Sequence, residues 1–150
     1  FSPAAVASFG DGTTTALAAD RRVVRNPQKI HATVANAAFV LEVAAEHGSF
    51  GRFIAGWPDN DVVGLWAWLK KHGSRLGGDT GPRILRSMGK DTFILSPDVC
   101  HALTQLQVLT GKPASARQQR AAQEAFTRWQ QESGRPMAHL SVILACGVDR

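Results

Sequence analysis

Residues 69–85 read Leu69-Lys70-Lys71-His72-Gly73-Ser74-Arg75-Leu76-Gly77-Gly78-Asp79-Thr80-Gly81-Pro82-Arg83-Ile84-Leu85, and they join two segments that have the apolar spacing of helices. Four glycines fall within the nine residues from Gly73 to Gly81. Glycine adopts positive φ and lets another part of the backbone come close. The spacing therefore predicts a tight turn between two helices.

This stretch also has the features of a phosphate site. A glycine-rich turn that leads into a helix presents free N–H groups and the positive end of the helix dipole. Main-chain amides hold phosphates without reading base sequence, which suits a protein that scans DNA. The alternative is a tight turn with no ligand, since turns between helices often contain glycine. Cations surround the stretch (Arg86 among them), and the residues that we expect to bind DNA are Lys70, Lys71, Gly73, Arg75, Gly77, Gly78, Thr80, Gly81 and Arg83.

The composition limits the class of protein. At 150 residues, with 44% hydrophobic and 19% charged residues, the chain fits one globular domain with its own core. No apolar run approaches the roughly 18 residues that a membrane span needs. The net charge of +5 favours a polyanionic partner, although it is weak evidence alone. Because the chain begins at Phe1 without an initiator Met or a signal pattern, we expect an N-terminal segment to be missing.

The cysteines give no sign of a metal site or a disulfide framework. Cys100 and Cys146 are far apart and are flanked by apolar residues, and no Cys-x-x-Cys pair or Cys/His cluster occurs. We expect buried thiols in a reducing cytoplasm, with no metal and no cofactor.

Helix signals recur along the chain and predict an all-α fold, a compact bundle of about eight helices. Asn26-Pro27 is a cap followed by proline, and apolar residues then recur at three and four positions as far as His47, where Gly48 ends the helix. Two short helices are expected before it, within residues 3–9 and 13–19. Further helices are expected to start at Ser49, at one of residues 59–61, near Thr80, at Ser96, at Ser115 and after Pro136.

Three other patterns carry expectations about burial or secondary structure. Residues 140–146 are nearly all apolar, so we expect the last helix near the centre of the core. The run Arg117-Gln118-Gln119-Arg120 is typical of a solvated helix face. Only residues 92–95 have a β-like pattern, and that run is very short.

Two segments resemble helix-hairpin-helix DNA glycosylases. Leu76-Gly77-Gly78-Asp79-Thr80-Gly81-Pro82-Arg83 resembles the Leu-Pro-Gly-x-Gly hairpin of that superfamily, with one extra residue between the glycines. Gly89-Lys90-Asp91-Thr92-Phe93-Ile94-Leu95-Ser96-Pro97-Asp98-Val99 resembles its segment of glycine, apolar run, Pro or Val, and Asp. The resemblance implies a helix-hairpin-helix domain in which Asp98 matches the catalytic carboxylate.

A second resemblance names a family. Phe1-Ser2-Pro3-Ala4-Ala5-Val6-Ala7, residues 19–30, Ala32-Thr33-Val34-Ala35-Asn36-Ala37, Gly48-Ser49-Phe50 and Leu69-Lys70-Lys71-His72-Gly73 resemble segments of DNA-3-methyladenine glycosylase I. This implies a DNA repair enzyme, a monofunctional glycosylase that flips an alkylated purine, 3-methyladenine above all, out of double-stranded DNA and hydrolyses its N-glycosidic bond. We expect one domain over residues 1–150, a monomer, and a cytoplasmic location.

The chain departs from that family at two points. The family's base-pocket Glu and aromatics lie upstream of the Phe-x-Pro start and are absent from this sequence. Its zinc ligands have no convincing counterparts, since His101 and Cys146 do not fall at matching spacing, so zinc is not carried over. Because that family lacks the usual catalytic Asp, Asp98 indicates a divergent branch or a different catalytic scheme.

Asp98 is the candidate catalytic residue. Cleavage of an N-glycosidic bond develops positive charge on the sugar, and a nearby carboxylate can stabilise that charge or position water against it. Asp98 stands at about the second position of the helix after Ser96-Pro97, where the dipole favours its ionised form. The alternative is a structural role, because Asp is common in the first turn of any helix.

A flipped base needs an aromatic surface to stack upon. Trp57, next to Pro58, is the candidate for a base pocket or wedge, with packing on the core as the alternative. Trp66, Phe126 and Trp129 have the spacing of core residues.

Three functions stay open at the level of sequence. The first is a monofunctional glycosylase, since residues 80–85 contain no Lys to act as the Schiff-base amine of bifunctional relatives. The second is a non-catalytic module that binds DNA through the hairpin. The third is a structural helical domain with a degenerate resemblance.

Overall fold

The computed structural model describes residues 2–147, so Phe1 and residues 148–150 lie outside it. Within that range the chain forms nine α-helices and no strand, which confirms the predicted all-α fold. No helix in this part of the chain is both long and apolar enough to cross a bilayer. The helices are α1 (Pro3–Ala7), α2 (Asp11–Ala19), α3 (Pro27–His47), α4 (Phe50–Gly56), α5 (Val62–His72), α6 (Thr80–Ser87), α7 (Pro97–Gln105), α8 (Ala116–Ser133) and α9 (Met137–Cys146), and a 3-10 turn (Asp59–Asp61) precedes α5.

The long helix α3 supports the N-terminal half of the fold. It begins where predicted, because the Asn26 side chain accepts a hydrogen bond from the Lys29 N–H at 3.1 Å and Pro27 takes the first helical position. It ends before Gly48, which has a φ of +79°. Its 21 residues give a length of about 31 Å, and α1, α2 and α4 all pack against it.

The start of α5 differs from the prediction of a cap by one of residues 59–61. Asp61 holds the N-cap position, but its side chain makes no capping bond. Instead the Gln123 side chain of α8 accepts a hydrogen bond from the Val63 N–H at 2.8 Å and donates to the Asn60 carbonyl. A residue sixty positions further along the chain therefore caps α5 and ties it to α8.

The core is built around α5 and an extended segment, residues 90–96. Leu65 and Leu69 of α5 are fully buried. Phe93 of the segment stacks on Phe126 of α8, with the ring centroids 4.4 Å apart, and Trp66 meets Phe93 edge-on at 4.7 Å. The β-like pattern of residues 92–95 thus marks a buried connection rather than a strand.

The last helix contradicts its prediction. In α9 only Met137 and Ser141 are buried, while Val142 and Ile143 are about half exposed, at 52% and 50%. The helix packs on α7 and α8 with one side only, so its uniform apolar composition did not indicate a central position. The run at residues 117–120 is also not wholly solvated, because Gln118 points inward and is 7% exposed.

Candidate nucleic-acid interface

The connection between α5 and α6 is residues 73–79, which we call the glycine turn. The Gly73 N–H donates to the Leu69 carbonyl at 2.8 Å and ends α5. Two residues of the turn have left-handed backbone, Arg75 with a φ of +58° and Gly78 with a φ of +60°. The chain reverses over this short distance and enters α6 at Thr80, as the sequence predicts.

Glycine occupies each of these positions for a different structural reason. A Cβ at Gly81 would lie 2.9 Å from the Leu76 carbonyl oxygen, so α6 packs against the turn more closely than a side chain permits. A Cβ at Gly77 would lie 3.2 Å from Cγ of Lys70, whose stem runs across the turn. Gly78 differs, because open space surrounds it and only its positive φ favours glycine.

A residue that the sequence did not suggest holds the glycine turn in place. The Asn36 side chain of α3 accepts a hydrogen bond from the Ser74 N–H at 2.7 Å and donates to the Ser74 carbonyl at 2.9 Å. The N–H and the carbonyl of Ser74 are thereby both hydrogen-bonded to α3. No local signal indicates this pairing, since the two residues are 38 positions apart. Asn36 is a positioning residue for the turn.

The main chain of the glycine turn has N–H groups that are not used in hydrogen bonds within the described residues. Within residues 2–147, no acceptor binds the N–H groups of Gly77, Gly78 and Asp79. Gly78 is exposed, and the Thr80 N–H makes only a long bond of 3.3 Å to the Gly77 carbonyl. Exposed N–H groups at the start of a helix are the donors that bind phosphate oxygens.

Most of the predicted cations are at the surface around this turn. Lys70, Lys71 and Arg83 are exposed, and Arg83 lies 3.9 Å from the Asp79 carboxylate. Arg75 is exposed and donates to the Gln28 side chain at the start of α3, at 3.0 Å. The glycine turn and α3 enclose a groove of about 700 Å³, and its lining includes Lys29, Asn36, Arg75, Gly77 and Thr80.

Arg86, which the sequence also placed among these cations, faces inward. Its guanidinium donates to the Thr92 carbonyl at 2.9 Å, and within the described residues its Nε has no hydrogen-bond partner. Burial lowers the pKa of the Arg86 guanidinium, and the nearby Asp91 carboxylate opposes that shift. Arg86 therefore serves the interior of the fold rather than the exposed surface.

Asp98 lies in the first turn of α7, half-buried, one residue after Pro97. Ser96 caps this helix by accepting a hydrogen bond from the Val99 N–H at 3.3 Å. The start of α7 lies beside the glycine turn, because Leu95 lines one cleft together with Gly78. Burial raises the pKa of the Cys100 thiol, and the Asp79 carboxylate raises it further.

Trp57 lies elsewhere. Its indole N–H donates to the Asp61 carbonyl at 2.9 Å, and its ring packs near Phe53 and Trp68, with centroids 5.7 and 6.3 Å away. It borders a surface depression with His47, and neither the groove nor the cleft beside the glycine turn includes it. The structure thus brings the turn and the start of α7 together but does not add Trp57 to them.

The residues present do not fit a zinc site. His101 is exposed on α7 and Cys146 is exposed near the end of α9. Among residues 2–147 no group of three or more His, Cys, Asp or Glu is arranged to hold a metal ion. No step of the chemistry is therefore assigned to zinc.

An all-helical fold in which a cationic, glycine-rich turn adjoins the start of a helix that carries Asp98 in its first turn is compatible with an enzyme that acts on nucleic acid. The chain belongs to the methyladenine glycosylase family, whose model matches residues 1–105. This family supports a DNA glycosylase role, that of a hydrolase with DNA as its partner. The match includes α1 to α7, the glycine turn and Asp98, and it stops before α8. Searches of curated proteins and of solved structures find no match to the chain.

Proposed function

We propose that the chain hydrolyses the N-glycosidic bond of an alkylated purine, 3-methyladenine above all, after the base is flipped out of double-stranded DNA. The observation that carries this proposal is the position of the glycine turn. Arg75 and Gly78 of the turn are exposed, its main chain retains unbonded N–H donors, and it adjoins the helix start that holds Asp98. All of these features lie in the part of the chain that the methyladenine glycosylase model matches.

In this proposal the glycine turn is a helix-hairpin-helix element that holds the DNA backbone. The unbonded N–H groups of Gly77 and Gly78 bind phosphate oxygens, and Lys70 and Arg75 add charge at the rim. Gly73, Thr80 and Gly81 allow the DNA backbone to come close to the turn. Lys71 and Arg83 extend the positive surface around it. Contacts of this kind set the position of the protein on the duplex without selecting a sequence.

Asp98 is the carboxylate of the reaction. As the C1′–N bond breaks, the base departs with the bonding electron pair, and water forms the new bond to C1′ and loses its proton to solvent. A base that is already cationic through methylation leaves as a neutral molecule without being protonated. The Asp98 carboxylate, in the first turn of α7, stabilises the positive charge that develops on the sugar.

Two features support a monofunctional enzyme. Residues 80–87, which form α6, contain no Lys that could make a Schiff base next to the glycine turn. The next lysine, Lys90, is 8% exposed, and its amine donates to the Trp57 carbonyl and to Asp59, each at 2.6 Å. The proposal keeps the sequence predictions of a single domain, a monomer and a cytoplasmic location.

The test is release of 3-methyladenine from methylated duplex DNA by the wild type and by Asp98→Asn. We expect Asp98→Asn to lose at least about 100-fold in rate, since a positioned charged group typically contributes that much. Asp11→Asn makes the same change in the first turn of α2 and is the matched control, with full release expected. Equal release by the wild type and Asp98→Asn would remove Asp98 from the mechanism.

DNA binding is measured separately from catalysis. Arg75→Ala and Gly78→Val are expected to weaken binding to every duplex alike, because the contacts are to the backbone. A loss that depended on sequence would contradict this picture. If the wild type releases no base but keeps salt-sensitive duplex binding, the alternative function, a non-catalytic DNA-binding module, is supported instead.

A further inference from the structure

A second depression borders the glycine turn at Gly78 and Asp79. It has a volume of about 160 Å³, and its opposite side is formed by residues from 113 to 119, the loop before α8 and the first turn of that helix. Leu95, three residues before Asp98, also lines it. We call this depression the turn cleft. Its C-terminal side lies beyond residue 105, where the match to the family model ends.

The walls of the turn cleft are mostly apolar and are held firmly. Trp66 is 6% exposed, and its indole N–H donates to the Thr92 hydroxyl at 3.1 Å, which fixes the ring. Pro82, Leu95 and Pro113 add further apolar surface. Small-molecule sites are usually apolar clefts with a few convergent polar groups, and the turn cleft has this character at a smaller volume than most.

The polar group that distinguishes the turn cleft is the Gln119 amide. Three other glutamines of α8 are engaged within the protein: Gln118 accepts from the Thr110 N–H, Gln123 caps α5, and Gln130 donates to Asp91. Gln119 is half-buried and lines the cleft, yet within residues 2–147 its side chain has no hydrogen-bond partner. Its donor and its acceptor are both available to a ligand.

We propose that the turn cleft receives the displaced purine and that Gln119, together with Asp79, selects an adenine-type base. This inference rests on the proposed function, and it assigns specificity to a segment that the family model does not match. An amide pairs with adenine through two hydrogen bonds, one to the amino group and one to a ring nitrogen. The Asp79 carboxylate accepts from an amino group and attracts a methylated, cationic base, whereas it repels a carbonyl oxygen at the same place.

Binding of free bases tests this proposal without relying on catalysis. The ¹⁵N-labelled chain is titrated with 3-methyladenine and with hypoxanthine, which has a carbonyl in place of the amino group, and the amide signals are followed by NMR. We expect 3-methyladenine to shift the side-chain amide of Gln119 and the indole N–H of Trp66. Gln119→Ala is expected to weaken this binding at least about fivefold. Gln131→Ala, on an exposed position of the same helix, is the matched control and keeps wild-type affinity.

Each outcome bears on one of the two proposals. The absence of any shift at the cleft in millimolar 3-methyladenine overturns the inference, as does equal affinity for hypoxanthine or an unchanged affinity in Gln119→Ala. If the wild type binds 3-methyladenine at the cleft but releases no base from methylated DNA, the inference stands and the proposed function fails. If the wild type releases base and Gln119→Ala does so with the same KM and kcat, the function stands and the inference fails.

Discussion

The N-terminal end of α6 follows the glycine turn, where several main-chain N–H groups have no acceptor within residues 2–147 and the cations are exposed. The C-terminal end of the same helix leads into residues 90–92, where each polar side chain is bonded to another part of the protein. The helix is short, about 12 Å for its eight residues. The glycine turn, with its unbonded N–H groups, therefore lies close to residues 90–92, whose polar side chains are all bonded.

The bonding at the C-terminal end is extensive. The Asp91 carboxylate accepts from the N–H groups of Met137 and Ala138, at 2.8 and 2.9 Å, and so caps α9. Thr92 is fully buried and accepts from Trp66. Lys90 is 8% exposed and is held by two acceptors. Asp91 thus joins the segment after α6 to α8 and α9, Thr92 joins it to α5, and Lys90 joins it to residues 57–59.

The comparison separates stability from binding. A buried donor or acceptor that lacks a partner costs about 1–3 kcal/mol, so nearly all such groups are bonded within the protein, with Arg86 Nε as an exception among the described residues. An exposed donor has no such requirement and remains available to a ligand. Substitutions at residues 90–92 should therefore change stability alone, whereas substitutions in the glycine turn should also change DNA affinity.

Asp91→Ala is expected to have the largest effect on stability. It removes three hydrogen bonds to a carboxylate and leaves the start of α9 without its cap, which should cost about 3 kcal/mol in the free energy of unfolding. Urea denaturation measures that loss, and duplex affinity below the transition should stay at the wild-type value. A fall in affinity as large as that of Arg75→Ala would show that the two ends of α6 are not separate in function.

Asn36→Leu is expected to act on both properties. It removes the two hydrogen bonds to Ser74, which are part-buried, and should cost about 2 kcal/mol. Because the glycine turn loses its anchor on α3, duplex affinity should fall as well. The measurements are urea denaturation and duplex binding in parallel. Unchanged affinity in a destabilised Asn36→Leu would mean that the turn holds its shape without α3.

The contrast between the two ends of α6 also explains what the sequence could predict. Local signals were sufficient for helix starts: Asn26, Ser49, Ser96 and Ser115 each cap the helix that follows. The glycine turn was predictable for the same reason, since its glycines are adjacent in the sequence. What could be predicted in both cases depends on residues within a few positions of one another.

Features that depend on distant contacts could not be predicted. The cap of α5 comes from Gln123, and the anchor of the turn comes from Asn36, each far along the chain from its partner. The prediction that α9 lies near the centre of the core was wrong for a related reason. Apolar composition does not say how much of a helix surface other helices cover. The turn cleft likewise requires residues from two distant segments.

Gly78→Ala and Gly89→Ala form a matched pair at the two ends of α6. Both glycines have positive φ, +60° and +86°, and open space where a Cβ would be, so each alanine should cost about 1 kcal/mol in stability. Only Gly78→Ala should also weaken duplex binding, since its methyl group keeps phosphate away from the main chain. Gly12→Ala, within α2 with ordinary φ and open space, is the control and should be neutral or slightly stabilising. An equal loss of affinity in Gly78→Ala and Gly89→Ala would contradict phosphate binding by the main chain of the glycine turn.

The smallest expected effect is a pH dependence at Cys100. Burial, and then the Asp79 carboxylate, raise the pKa of this thiol in the folded protein. Its contribution to stability is therefore fully present below the unfolded pKa of about 8.5 and is lost as the pH rises through the raised value. Asp79→Asn should lower the pH at which Cys100 reacts with iodoacetamide, measured with the exposed Cys146 replaced by Ser. An unchanged profile would indicate that the glycine turn and the start of α7 lie too far apart to interact, which would also weaken the assignment of Asp98 to a site shared with the turn.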